Sequence, residues 1–148
     1  MSIATRNKNE LALLAQANKV VAITLDYAKT IVSEGISLLE LDKAIEDKIL
    51  SLESLPSFKG LYGFPNAACI SVNQVIIHGI PTDYRLRQGD IVGIDIGTKY
   101  KNYYGDGAIT IGVGKVSDKD TQLMECSLRT LYNTIDSIKA GMRFKEIS

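Results

Sequence analysis

The sequence predicts an α+β domain, with helices leading and a β-rich segment following. Three observations carry this. Apolar residues recur at helical spacing through residues 7–49. From Phe58 the character changes to short β-type runs among Gly, Pro and aromatics, ending in two strands around a polar turn. After a further helical stretch the joint "EGISLLEL" (Glu34–Leu41) returns as "AGMRFKEI" (Ala140–Ile147), with Gly35 matching Gly141 and Glu40 matching Glu146. That recurrence predicts a duplicated unit of helix, helix and strands.

The first helix starts at Asn7, with Glu10 placed to complete a capping box. Leu13, Ala17, Val21, Leu25 and Ala28 form its apolar face, and the pattern ends near Val32, where Gly35 is expected to take the left-handed cap. Ser37 and Glu40 form a second capping box, with Ile36 and Leu41 as its hydrophobic staple. Leu38, Leu41, Ile45 and Ile49 are the expected buried stripe of that second helix. Ala68–Val72 and Gln74–Ile77 read as short strands, and Ile91–Ile96 with Tyr103–Val113 as a hairpin. Ser117 caps a third helix carrying Leu123, Leu128, Leu131, Ile135 and Ile138 on one face, ended by Gly141. The resulting organisation is one incomplete domain in three parts: helices in 1–57, a β-rich part with the hairpin in 58–116, and in 117–148 a helix opening the second repeat.

Composition narrows the function classes. At 148 residues, 45% hydrophobic, the chain can bury a sizeable core. Lys+Arg 17 against Asp+Glu 17 leaves no electrostatic footprint for nucleic acid. Two cysteines, Cys69 and Cys126, make neither a disulfide framework nor a CxxC metal site. "MSIATRNKNE" lacks an apolar signal core, and "LALLAQANKVVAITLDYA" is too interrupted by polar residues for a membrane span. Cytoplasm is the expected compartment.

Two acids inside the hairpin need explaining. Asp95 sits within the apolar run "IVGIDIG" and Asp106 on the return strand. A turn centred between Tyr100 and Lys101 places them directly opposite, with Cβ atoms roughly 4.5–5.5 Å apart. Facing carboxylates repel, and burial raises the cost. One acid can stay protonated, or cations can lie between the two; paired carboxylates of this kind can bridge two divalent ions. The plainer alternative puts Asp106 in a turn after Gly105 and Asp95 at a bulge. His78, the only histidine, follows "VII" and precedes Gly79-Ile80-Pro81, which restricts its backbone. A lone histidine there is by itself more often a packing or surface residue than a catalytic one.

Taken together, "GLYGFPNAACISVNQVIIHGIP", "GDIVGIDIG" and "YYGDGA", with the two leading helices and "ELD" at Glu40–Asp42, resemble type I methionine aminopeptidase over essentially the whole chain. The resemblance implies the duplicated pita-bread fold, in agreement with the repeat. It implies that Asp95 and Asp106 bridge two divalent metal ions (Co, Mn, Fe or Zn), and that His78 contacts substrate and serves catalysis. Cys69, Phe64, Phe58 and Leu61 would line the pocket for the methionine side chain. The substrates implied are nascent polypeptide N-termini, met at the ribosome, whose first peptide bond is cleaved by metal-activated water. In that family a histidine and two glutamates from the second half complete the metal site, and another histidine there assists. This sequence stops before them, so it is expected to be a truncated form, inactive alone and prone to self-association, of a monomeric parent. Gly107-Ala108 departs from the Thr or Ser of many relatives after the second aspartate. An Xaa-Pro aminopeptidase or prolidase of the same fold, and a non-catalytic binding protein on that scaffold, are the rival readings.

Overall fold

A computed structural model describes residues 5–147; Met1–Ala4 and Ser148 lie outside them. The chain forms two units, Met1–Lys115 and Val116–Ser148.

In the first unit, α1 (Lys8–Ile31) and α2 (Leu38–Ser51) precede a small antiparallel sheet. Both helices begin where their capping boxes predict. Asn7 Oδ1 accepts from the Glu10 N–H at 3.0 Å and Ser37 Oγ from the Glu40 N–H at 3.1 Å, and each glutamate reaches back to the cap's own N–H at 2.8 Å. These reciprocal bonds satisfy amides that an open helix end would leave unpaired. Gly35 does take a left-handed φ of 89°, but it is not the cap of α1. The helix ends at Val32 in extended backbone, and Gly35 turns the chain beyond it, donating to the Leu86 carbonyl at 2.8 Å.

The sheet contains β1 (Leu55–Pro56), β2 (Ala68–Val72), β3 (Ile91–Tyr100) and β4 (Tyr103–Gly112). β4 pairs β3 along its whole length; β2 pairs with Val92–Ile96 of β3, and β1 with Thr98–Lys99. Alternation sorts the sheet's two faces. Val92, Ile94, Ile96 and Thr98 of β3, with Ala68 and Ile70 of β2, are buried. Apart from Thr98, they share one core cluster with Val21, Leu25 and Ala28 of α1 and Leu38, Leu41, Ile45 and Ile49 of α2. The stripe expected for α2 is therefore the one that is buried.

Where α1 crosses β4 the backbones nearly touch. A Cβ on Gly105 would lie 2.6 Å from the Ala17 carbonyl carbon and oxygen, and one on Gly107 2.9 Å from Val21 Cγ1. Thr98 Oγ1 donates to the Ala17 carbonyl at 3.0 Å, fixing the helix at this height.

Gln74–Ile77 is not a strand. Asn73 adopts a left-handed φ of 53° and ends β2, and Val75 folds back to the Val72 carbonyl. Val75, Ile76 and Ile77 are 45%, 89% and 68% exposed, so this apolar run has no core to meet. The segment is anchored instead by Asp90. Its carboxylate accepts from Asn73 Nδ2, Tyr84 Oη and the Arg87 N–H, each at 2.9 Å, while Asn73 Oδ1 accepts from the Ile91 N–H at 3.0 Å. Burial pushes the Asp90 carboxyl up, but these bonds and the Arg87 charge together outweigh it and hold the group below its ordinary value.

In the second unit α3 (Asp118–Ser137) starts at Ser117, whose Oγ accepts from the Asp120 N–H at 3.1 Å. None of its described residues is buried; Leu123, Leu128, Leu131, Ile135 and Ile138 are 52–58% exposed. It ends at Ser137, short of Gly141, which has a φ of 93° like Gly35 at 89°. Two residues on, the Arg143 N–H donates to Glu146 Oε2 at 2.8 Å, as the Ser37 N–H does to Glu40 Oε2. The recurring sequence thus adopts a recurring local geometry, with the hydroxyl half of the box missing because Arg143 replaces serine.

Gly105→Ala should cost about 2–3 kcal/mol in urea unfolding, because α1 must move off β4 and strain the Thr98 bond. Asp90→Asn should destabilise at neutral pH by about 1–3 kcal/mol through weakened charge-assisted bonds. A carboxyl depressed in the fold contributes stability above its unfolded pKa and loses it as pH falls toward the folded value. The gap between wild type and Asp90→Asn should therefore narrow in melts recorded below about pH 4.

Candidate metal and substrate site

Burying the even-numbered residues of β3 sends Gly93, Asp95 and Gly97 to the opposite face, and pairing brings Cys69 of β2 directly beside Asp95. On the other side Asp95 pairs with Ala108, and Asp106 with Gly97. The two acids are therefore diagonal, not directly opposite as the sequence led us to expect. The reason is the turn. Lys101 and Asn102, with φ of 46° and 68°, form a two-residue connection between Tyr100 and Tyr103. Two consecutive left-handed residues are the type I′ geometry that matches strand twist. This centre lies one residue beyond the expected one and moves Asp95's partner by two. A shift of two preserves the face, so both carboxylates still project from the same side, with backbone positions about 7–8 Å apart. Both lie within regular strand pairing, which excludes the turn-and-bulge alternative.

No salt bridge or side-chain hydrogen bond among the described residues reaches either acid. Burial pushes the Asp95 carboxyl up, the Asp106 charge adds to the rise, and His78 partly offsets it. Burial also raises the Cys69 thiol to about 11, helped by the charges of Asp95, Asp106 and Asp42. The thiol is thus neutral at physiological pH, and among the described residues no salt bridge balances the negative charge of this face. Among the described residues no group of three His, Cys, Asp or Glu side chains is gathered to hold a metal.

Beside Asp95 opens a pocket of about 380 Å³, lined by Phe58, Leu61, Tyr62, Gly63, Phe64, Pro65, Cys69, His78, Ile80 and Asp95. It brings together Phe58, Leu61, Phe64, Cys69 and His78, all singled out from the sequence. Sequence reasoning missed Tyr62, Gly63, Pro65 and Ile80. Tyr62 sits between two left-handed glycines, Gly60 and Gly63, and is itself left-handed at φ 49°. The run "GLYG" could have signalled that tight loop. Phe58 reaches the sheet because Gly97 has no side chain: a Cβ there would lie 2.4 Å from the Phe58 ring and 2.2 Å from Ser57 Oγ.

The pocket loop is held to α2 at two points one helical turn apart. Lys59 Nζ contacts both Glu46 carboxylate oxygens, at 2.7 and 2.9 Å. Asp42, buried at 6% exposure, accepts from the Ala67 and Ala68 N–H groups at 3.0 and 2.9 Å and from Asn66 Nδ2 at 2.7 Å. His78 is not at a strand end, as expected, but in an exposed loop with a left-handed φ of 55°.

The sequence pattern of metallopeptidase family M24 matches residues 12–148. The chain is 48% identical, over all 148 residues, to a methionine aminopeptidase of Helicobacter pylori, and 40% identical over 146 residues to methionine aminopeptidase 1 of Bacillus subtilis. It covers 58% and 59% of those proteins, so it spans little more than half the length of the curated relatives it matches. The crystal structure of methionine aminopeptidase from Thermotoga maritima superposes on 99% of the chain, with a TM-score of 0.95 and 29% identity, using 59% of its own length. A prolidase from Pyrococcus furiosus shares the fold at a TM-score of 0.82 and 24% identity over 96% of this chain and 41% of its own. The fold is the pita-bread arrangement that the resemblance implied. An acid pair on one sheet face beside an apolar pocket, within a sequence pattern matched from residue 12 onward, establishes that this chain belongs to metallopeptidase family M24.

Proposed function

We propose that the protein carrying this chain is a metal-dependent aminopeptidase that removes the N-terminal methionine from nascent polypeptides in the cytoplasm, at the ribosome. The observation that carries this is the placement of Asp95 in the wall of an apolar pocket, with Asp106 diagonal to it and no salt bridge to either among the described residues. The relatives named above support methionine over proline as the specificity. Among the described residues no helix is long and apolar enough to cross a membrane.

The donor set fits divalent ions. Two same-face carboxylates with no salt bridge or side-chain hydrogen bond among the described residues offer hard anionic oxygens, and the Asp95 carboxyl is raised first by burial and then by the Asp106 charge. Asp95 and Asp106 would hold two such ions. Carboxylates alone favour Mg or Mn, while an imidazole contributed by the rest of a full-length protein would widen the choice to Mn, Fe, Co or Zn. Bound there, the ions would supply Lewis acidity toward water and the scissile carbonyl.

The chain's own residues bind and orient. Phe58, Leu61 and Phe64 form an apolar wall for an unbranched thioether, with aromatic edges that sulfur contacts favourably. Cys69, protonated because its thiol is raised to about 11, adds a soft neutral surface and does not act as a nucleophile. Such a wall discriminates by roughly 1–3 kcal/mol per methylene, so pocket shape shares the work. His78 faces the same cavity and is placed to hydrogen-bond the substrate amide or the charge that develops on it.

Asp95→Asn should lower Mn affinity by more than about 100-fold, read by calorimetric titration, and abolish methionyl-tripeptide cleavage by the full gene product. Unchanged affinity with near-normal kcat would remove Asp95 from the metal site. His78→Ala should lower kcat by roughly 100-fold while KM moves little, the pattern of a group acting in the transition state. A fall in metal stoichiometry instead would make His78 a ligand.

A further inference from the structure

We propose that Ser71 is a positioning residue for His78, acting through the backbone of Gly79. This deepens the functional reading and rests on His78 contacting substrate. Ser71 lies on β2, two residues beyond Cys69 and on the same face, and is buried at 8% exposure. Its Oγ accepts from the Gly79 N–H at 3.1 Å. The Gly79 carbonyl in turn accepts from the Ile70 N–H at 2.9 Å. Both polar groups of Gly79 are therefore held by consecutive residues of one strand. The fit leaves no slack: a Cβ on Gly79 would lie 2.2 Å from the Ile70 carbonyl oxygen and 2.9 Å from Ser71 Cα.

His78 depends on this anchor because, beside it, only the electrostatic interaction with Asp95 bears on the ring. Its imidazole makes no hydrogen bond or ion pair among the described residues, and the residue is exposed. Its backbone is left-handed, at φ 55°, a region that a non-glycine residue occupies only when its surroundings impose it. The residue that follows it is the one fixed point beside it, held at both its N–H and its carbonyl. Among the described residues Ser71 supplies the one side-chain bond in that anchor, and the residue it positions lines the pocket. An ordinary structural serine would also satisfy a buried N–H, so the test must read the histidine itself.

His78 is the single histidine of these 148 residues, so in the histidine-labelled full gene product its ring signals are assigned as those that vanish in His78→Ala. In Ser71→Ala those signals should shift and broaden, while Ser71→Thr, which keeps the acceptor oxygen, should retain the wild-type positions. In the full gene product Ser71→Ala should lose about tenfold in kcat with KM within about twofold, and lose nothing further when added to His78→Ala. Unmoved ring signals in folded Ser71→Ala would overturn the proposal, and so would losses that add to those of His78→Ala. Moved ring signals together with full kcat in His78→Ala would uphold the positioning and remove the catalytic reading of His78. Should Ser71→Ala fail to fold, Ser71→Cys keeps the volume, weakens the acceptor and is read in the same way.

Discussion

The burial of one side of β3 is the constraint on which the remaining structure depends. Val92, Ile94 and Ile96 meet the helices in the core, where dispersion and hydrophobic burial leave no room for choice of face. A strand of period two then has to present Asp95 on the other side. The acid's exposure to the pocket is therefore not an independent feature. It follows from the same alternation that builds the core, and a register slip of one residue would exchange charge for oil on both faces. Asp106 inherits its side from Asp95 through the hairpin.

Glycine decides what that alternation can reach. Gly105 and Gly107 bring α1 against the core side of β4, and Gly97 admits Phe58 to the site side of β3. One set sets the thickness of the helix–sheet layer, and the other lets an aromatic wall stand next to a carboxylate. The hairpin thus works through the side chains it omits as much as through those it carries. Omission at Gly79 serves a third purpose, seating a loop flat on β2 beside His78, which lines the pocket with Asp95.

Much of this was legible in the residues. Asn7 with Glu10 and Ser37 with Glu40 state their helix starts in local chemistry, which tertiary context does not override. The shared face of Asp95 and Asp106 was legible because a period of two survives any even error in register. The turn itself was not. Lys101 lacks the glycine or asparagine usual at the first position of a type I′ turn, so the sequence placed the centre one residue early. Gln74–Ile77 failed for a different reason. Three β-branched residues carry strand propensity, but propensity reports the fit to a half-buried surface, and the chain offers Ile76 none. What decided that segment was Asn73 with Asp90, a pairing across seventeen positions that no local window contains. Likewise the pocket's aromatics were found through the resemblance of "GLYGFP" and its neighbours, and not through any periodicity.

The two attachments of the pocket loop to α2 have a dynamic corollary. Asp42 and Glu46 sit one turn apart on a helix, so they cannot move independently of each other. The Ala67 and Ala68 amides belong by position to a loop–strand junction, where solvent exchange is ordinarily fast. Here their acceptor is a buried helical carboxylate, so they are released only when α2 itself loosens from the sheet. Wall and helix form one cooperative opening unit. The pocket's far side therefore breathes at the free energy of the core and not of the surface, and its shape is retained between encounters with whatever enters it.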